Sequence, residues 1–139
     1  MSATITFSQL PPPVSSSGAP SLVGVQTISG APTDVLFGSA IVQTFAVASG
    51  DSETIAAAPA SRIYADFTAS ATLSSLTVTM PTAGFDSQIV TLTFQSDVTA
   101  LTISPASGQT FLVAPPTSAT AGGSISYRWK TSLSQWWPL

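Results

Sequence analysis

The sequence predicts an all-β fold: an antiparallel sandwich, jelly-roll-like or barrel-like domain behind an extended, proline-rich N-terminal arm. Three observations carry this expectation. Helix formers with charged side chains are scarce, and β-branched residues dominate. Apolar and polar residues alternate with period two in several short stretches. Clusters of Gly, Pro, Ser and Asp fall between those stretches, as turns do between short strands.

The arm comes first, over residues 1–45. It holds short strand-like pieces, "ATITF", "LVGVQTI" and "DVLF". Pro11, Pro12, Pro13, Pro20 and Pro32 favour extended backbone without internal hydrogen bonds. The apolar residues of the arm are too few and too interrupted to form a core. The arm therefore needs a surface from its own body, a sister subunit or a partner. Phe7, Leu10, Pro11, Pro12, Pro13, Leu22, Val23 and Val25 are its candidate partner-binding residues.

Residues 46–139 read as the compact β-domain. "LSSLTVTMP" sets Leu76, Val78 and Met80 against Thr77 and Thr79. "QIVTLTFQ" sets Val90, Leu92 and Phe94 against Thr91 and Thr93. "TALTIS" puts Leu101 and Ile103 on one face, and "SISYRW" does the same for Ile125, Tyr127 and Trp129. Such alternation predicts half-buried antiparallel strands. The Ala-rich "TIAAAPAS" is cut by Pro59, and "SGDSET" reads as a turn. "TLSSLTVTMPTAG" and "DVTALTISPASG" are loosely alike, which common hairpin chemistry accounts for without a duplication. The aromatic stretch "YRWKTSLSQWWPL" reads as a closing hairpin. Adjacent Trp136 and Trp137 must point to opposite faces of a strand. One joins Trp129 in the core. The other, Trp137, is expected at a surface or interface.

Composition narrows the chemistry. The chain has 139 residues, no Cys and no His, with three Lys+Arg against six Asp+Glu. A domain of this size buries roughly 68–70% of the surface of its unfolded chain, enough for a core without disulfides. Charged residues make up 6%, against about 25% in ordinary soluble domains. Three cations are too few for a phosphate backbone or an anionic membrane. Uncharged surfaces pack in assemblies without the cost of burying ions. Without His, Ser-His catalysis is absent. Asp51 and Glu53 are the nearest approach to a carboxylate pair. The remaining acids are scattered, without the loop spacing of a calcium site. No catalytic, cofactor-binding or metal-binding residue is expected. No run approaches the roughly 18 apolar residues of a membrane helix, and no signal peptide is expected.

The stretch "FSQLPPPVSSSGAPSLVGVQTISGAPTDVLFGSAI" resembles an N-terminal segment of tailed-bacteriophage fibre and tail proteins, through Gln9, Leu10, Pro11, Leu22, Val23, Val25 and Gln26. The C-terminal part, from "LSSLTVTMP" to the closing "GGSISYRWKTSLSQWWPL", is similar to phage virion modules. It departs from the pattern at "FDSQ", where an Asp-Gly turn is commoner, and it lacks a repeat shaft. The resemblance implies a non-enzymatic structural protein of a tailed-phage virion, assembled in the host cytoplasm. The size fits a capsid decoration or cement protein. The alternative is a short tail or head fibre, or a carbohydrate-binding receptor-recognition module using Tyr127, Trp136 or Trp137. The implied partners are a capsid or other virion protein and sister copies in a dimer or trimer. A glycan is the less favoured partner, and nucleic acid and membrane are not expected.

Overall fold

The computed structural model describes residues 25–28, 31–34 and 39–139. Phe7, Leu10, Pro11, Pro12, Pro13, Leu22 and Val23 lie outside the described residues. Contacts divide the chain into two units, Met1–Ser39 and Ala40–Leu139. In the first, β1 (Val25–Ile28) pairs antiparallel with β2 (Ala31–Asp34), so Val25 stands opposite Asp34. β2 lies upstream of most of the expected "DVLF" strand.

The second unit holds nine strands: β3 (Ala40–Ala46), β4 (Ser52–Thr54), β5 (Arg62–Thr68), β6 (Leu76–Thr79), β7 (Ile89–Phe94), β8 (Leu101–Ser104), β9 (Thr110–Phe111), β10 (Ser124–Lys130) and β11 (Gln135–Pro138). β3 and its Phe45 fall in this unit, across the 45/46 division expected from sequence. Up to β8 the chain alternates between two sheets. β3, β5 and β7 pair parallel in one; β4, β6 and β8 pair parallel in the other. Each successive pair of strands is thus one coil of a short β-solenoid, and three coils stack in order.

The fold is nearly all β, as expected, but it is neither a sandwich nor a jelly roll. The expected antiparallel pairing is replaced by parallel pairing over β3 to β8. Alternation shows which side chains face inward. It does not show the direction of the neighbouring strand. Parallel sheets are commonly covered on both faces and lose their alternation. Here each sheet has one face inside the coil and one outside, so the alternating signature of antiparallel sheets persists. The two loosely alike segments are successive coils, with Leu76 beside Leu101 and Val78 beside Ile103. Ser52–Thr54, expected as a turn, is a strand beside Thr77–Thr79.

The core lies between the two sheets. Ile63, Ala65, Phe67, Val90, Leu92 and Phe94 face it from one side, and Leu76, Val78, Met80, Leu101 and Ile103 from the other. Parallel register stacks like on like. Phe45, Phe67 and Phe94 are neighbours in the ladder. Their rings stack at 5.1 and 5.4 Å, each pair inclined by 16°, an arrangement worth more than its buried area alone. At the corner, Leu73 N–H donates to Asp97 O at 2.8 Å, and Thr99 N–H donates to Leu73 O at 2.9 Å. Buried Gln88 ties the other side. Its amide nitrogen donates to Ala58 O and Ala60 O at 3.0 and 2.8 Å, and its Oε1 accepts from Gly84 N–H at 3.0 Å.

The C-terminal segment closes the stack as the sequence predicts, with a hairpin. β10 pairs antiparallel with β7, β11 antiparallel with β10, and β9 lies parallel along β11. Trp129 and Trp136 are cross-strand partners with ring centroids 5.1 Å apart. Trp136 is fully buried and its Nε1 donates to Gln109 Oε1 at 2.8 Å. Before β10 the chain passes so close to itself that a Cβ on Gly123 would lie 2.8 Å from Thr120 O. Among the described residues no helix is long and apolar enough to cross a membrane.

Two stability outcomes follow from this packing. Trp129→Ala should cost about 3–5 kcal/mol, as a large-to-small core change does; a near-neutral midpoint in urea unfolding would place Trp129 at the surface. Gln88→Ala should cost about 1–3 kcal/mol for the carbonyls of Ala58 and Ala60 left without a buried donor. An unchanged unfolding midpoint would show that those carbonyls find other partners.

Candidate interaction surfaces

The two ends of the coil stack differ. At the C-terminal end, β10 and β11 extend the six-stranded sheet antiparallel and cover the third coil. At the other end, β3 and β4 are the outermost strands, and among the described residues nothing pairs with their outer edges. The first coil is also the least buried. Ile41 and Phe45 occupy the positions of buried Ile63 and Phe67, yet Ile41 is 36% exposed and Phe45 only partly buried.

Two inward positions of this coil are polar. Gln43 stands where the next coils have Ala65 and Leu92. Its amide reaches across to the other side of the coil: Nε2 donates to Ala56 O at 2.8 Å, and Oε1 accepts from Ala56 N–H at 2.9 Å. Glu53 stands in the row of Val78 and Ile103 and is half-buried. A terminal repeat with polar groups in place of core residues can face water. The first coil therefore holds its shape while presenting a free strand edge, two apolar side chains and a carboxylate.

The outer face of the six-stranded sheet is a second surface. Ala40, Arg62, Ile89, Arg128 and Trp137 form one row across β3, β5, β7, β10 and β11. Two of the three cations of the chain thus lie in one row. Trp137, the one predicted interface residue with a described side chain, is half-buried, and its Nε1 is enclosed without a hydrogen-bond partner. Four hydroxyls on this face bond within the protein. Thr91 and Ser126 pair at 2.9 Å, Thr93 donates to Asp66, and Thr68 donates to Phe45 O at 3.1 Å. Two shallow depressions at the end of this sheet share Thr68 and Gln95.

Three carboxylates are engaged in local structure. Asp51 accepts from Ala48 N–H at 2.7 Å, Asp97 from Ala121 N–H at 2.7 Å, and Asp86 from Thr131 N–H at 2.9 Å. Asp51 is therefore occupied in its own turn. Among the described residues no three acids gather in a group that could hold a metal ion. Val25, the remaining described candidate, begins β1. The open edge of β3 and β4 was not anticipated. Its signal was present in "QTFA" and "SET", where polar Gln43 and Glu53 fall at inward positions of the alternation. No family model matches the chain, nor does any curated protein or solved structure.

Two titrations should be visible in stability. The hydrogen bond from Thr131 N–H, with Lys130 nearby, holds Asp86 below its ordinary value of 3.8, against a smaller opposing effect of desolvation. That contribution is present above pH 3.8 and is lost as pH falls through the lowered value. Asp86→Asn should remove this part of the acid slope in thermal melts. Burial pushes the Tyr127 phenol above its ordinary value of 10.0. Its contribution is complete below pH 10.0 and falls away as pH rises toward the folded-state value. Tyr127→Phe should flatten the alkaline limb of the stability curve. An unchanged limb would mean that Tyr127 ionises as freely folded as unfolded.

Proposed function

We propose that the protein is a non-enzymatic structural module of a tailed-phage virion, a small decoration or cement protein. It joins its assembly through the first coil, with the N-terminal arm as a further contact. The carrying observation is the polarity of the stack. One end is closed by an antiparallel hairpin with two buried Trp residues, and the other presents the unpaired edges of β3 and β4. A strand from a capsid or sister subunit would extend the six-stranded sheet by β-augmentation, its backbone supplying affinity. Ile41 and Phe45 would give it apolar contact, and Glu53 polar recognition. The sparse charge of the chain supports the same reading, since the docked faces bury few ions. The assembly itself rests on the sequence resemblance.

The test uses the free edge. Val47 N–H donates to Thr68 O across β3 and β5, so by alternation the N–H of Thr44 points to the open side. Proline is tolerated on such an edge. Thr44→Pro should therefore leave the melting temperature close to that of the parent and remove the chain from purified particles. Deleting residues 1–20 should leave the coil stack folded and weaken incorporation. Full incorporation of the Thr44→Pro protein would show that docking does not use this edge. Absence of the unmodified chain from particles would sink the virion reading altogether.

A further inference from the structure

The outward face of the three-stranded sheet carries six hydroxyls in two rows. Ser52, Thr77 and Thr102 are register neighbours, and so are Thr54, Thr79 and Ser104. Neighbouring strands in a sheet lie about 4.7–4.9 Å apart, and side chains two residues apart on one strand are separated by about 6.6 Å. The six hydroxyls therefore form a regular two-dimensional net. None of them is hydrogen-bonded within the protein among the described residues. On the other sheet Thr68, Thr91, Thr93 and Ser126 are engaged.

The net is also uncharged. Two residues beyond each row stand Gly50, Ser75 and Ala100 at one end and Ala56 and Ala106 at the other, while Pro81 beyond Thr79 is buried. All are short, and none bears a charge. The parallel ladder beneath holds the hydroxyls in place, so little conformational freedom is lost on binding.

We propose that this face binds ice. An ice surface is a rigid, uncharged, periodic array of water oxygens. A rigid net of free hydroxyls can meet it with hydrogen bonds repeated in two directions, and the threonine methyls fill the space between. Strand and side-chain spacings fall in the range of oxygen repeats on such a surface. Other occupants fit less well. The six positions span about 10 by 7 Å, or about 70 Å² between their centres, well under the roughly 800 Å² per partner of a stable protein interface. The rows contain no aromatic ring to stack on a sugar. This inference is independent of the proposed docking through β3 and β4.

The test measures inhibition of ice recrystallisation and partition into a growing ice crystal for the full chain. Thr79→Lys places a long charged side chain at the centre of the net, and Thr102→Lys does so on the edge strand β8. Val42→Lys alters an exposed position (60% exposed) on the opposite sheet. Circular dichroism and melting temperature identify the folded variants. The parent and Val42→Lys should restrain crystal growth equally. Thr79→Lys and Thr102→Lys should weaken the effect roughly tenfold or more. If Thr79→Lys fails to fold, Thr102→Lys alone carries the comparison. A parent no more active than serum albumin at equal mass concentration would overturn the proposal, and so would equal loss in Val42→Lys. A dimer in light scattering that Thr79→Lys dissociates would reassign the face to contact between copies.

Discussion

The register of the parallel ladders governs everything else in the coil stack. Once Phe45 lies beside Phe67 and Phe67 beside Phe94, the inward positions of each coil are set by those of its neighbour. A slip of one residue would turn every inward side chain outward. That is why the loops between strands can differ while the strands cannot. It also explains why the aromatic ladder sits in the sheet with the longest strands, where register is held by the most hydrogen bonds. Gln88 and the corner at Leu73 then secure the loops against the same frame.

A stack built this way has no natural end, because each coil leaves an edge on which another could form. Edges of this kind invite association unless they are blunted. The C-terminal end is blunted by a change of strand direction. β10 meets β7 antiparallel, and Trp129 and Trp136 then cover the last coil. The first coil uses a different device, a glutamine that clamps Ala56 from the inside. This keeps the coil closed without occupying its outer edge. The asymmetry between the ends gives the module a direction.

Three of the acids are spent on turns. Asp51, Asp86 and Asp97 each accept a backbone N–H where the chain changes direction. The broad faces of the sheets carry many hydroxyls, and the two faces use them differently. On the six-stranded sheet Thr68, Thr91, Thr93 and Ser126 bond within the protein. On the three-stranded sheet they are free. Similar residue types thus serve cohesion on one side and leave hydrogen-bonding capacity toward solvent on the other.

Alternation in "LTVTM", "IVTLTF", "LTIS" and "SISYRW" was sufficient to identify β-structure and the inward residues, because period two reports burial directly. It was also sufficient to show that one of Trp136 and Trp137 is core, since neighbours on a strand face opposite ways. Which of the two is buried depended on the partner across the hairpin: Trp136 faces Trp129, and Trp137 faces Arg128. The direction of pairing was likewise decided only by tertiary structure. A hydrophobic pattern has no sign, and it reads the same for parallel and antiparallel neighbours. Local resemblance between two segments could not reveal that they are successive coils, because register is a long-range relation between backbones. The open edge and the hydroxyl net belong to that same category. Their residues are plain in the chain, but their alignment exists only once the coils are stacked.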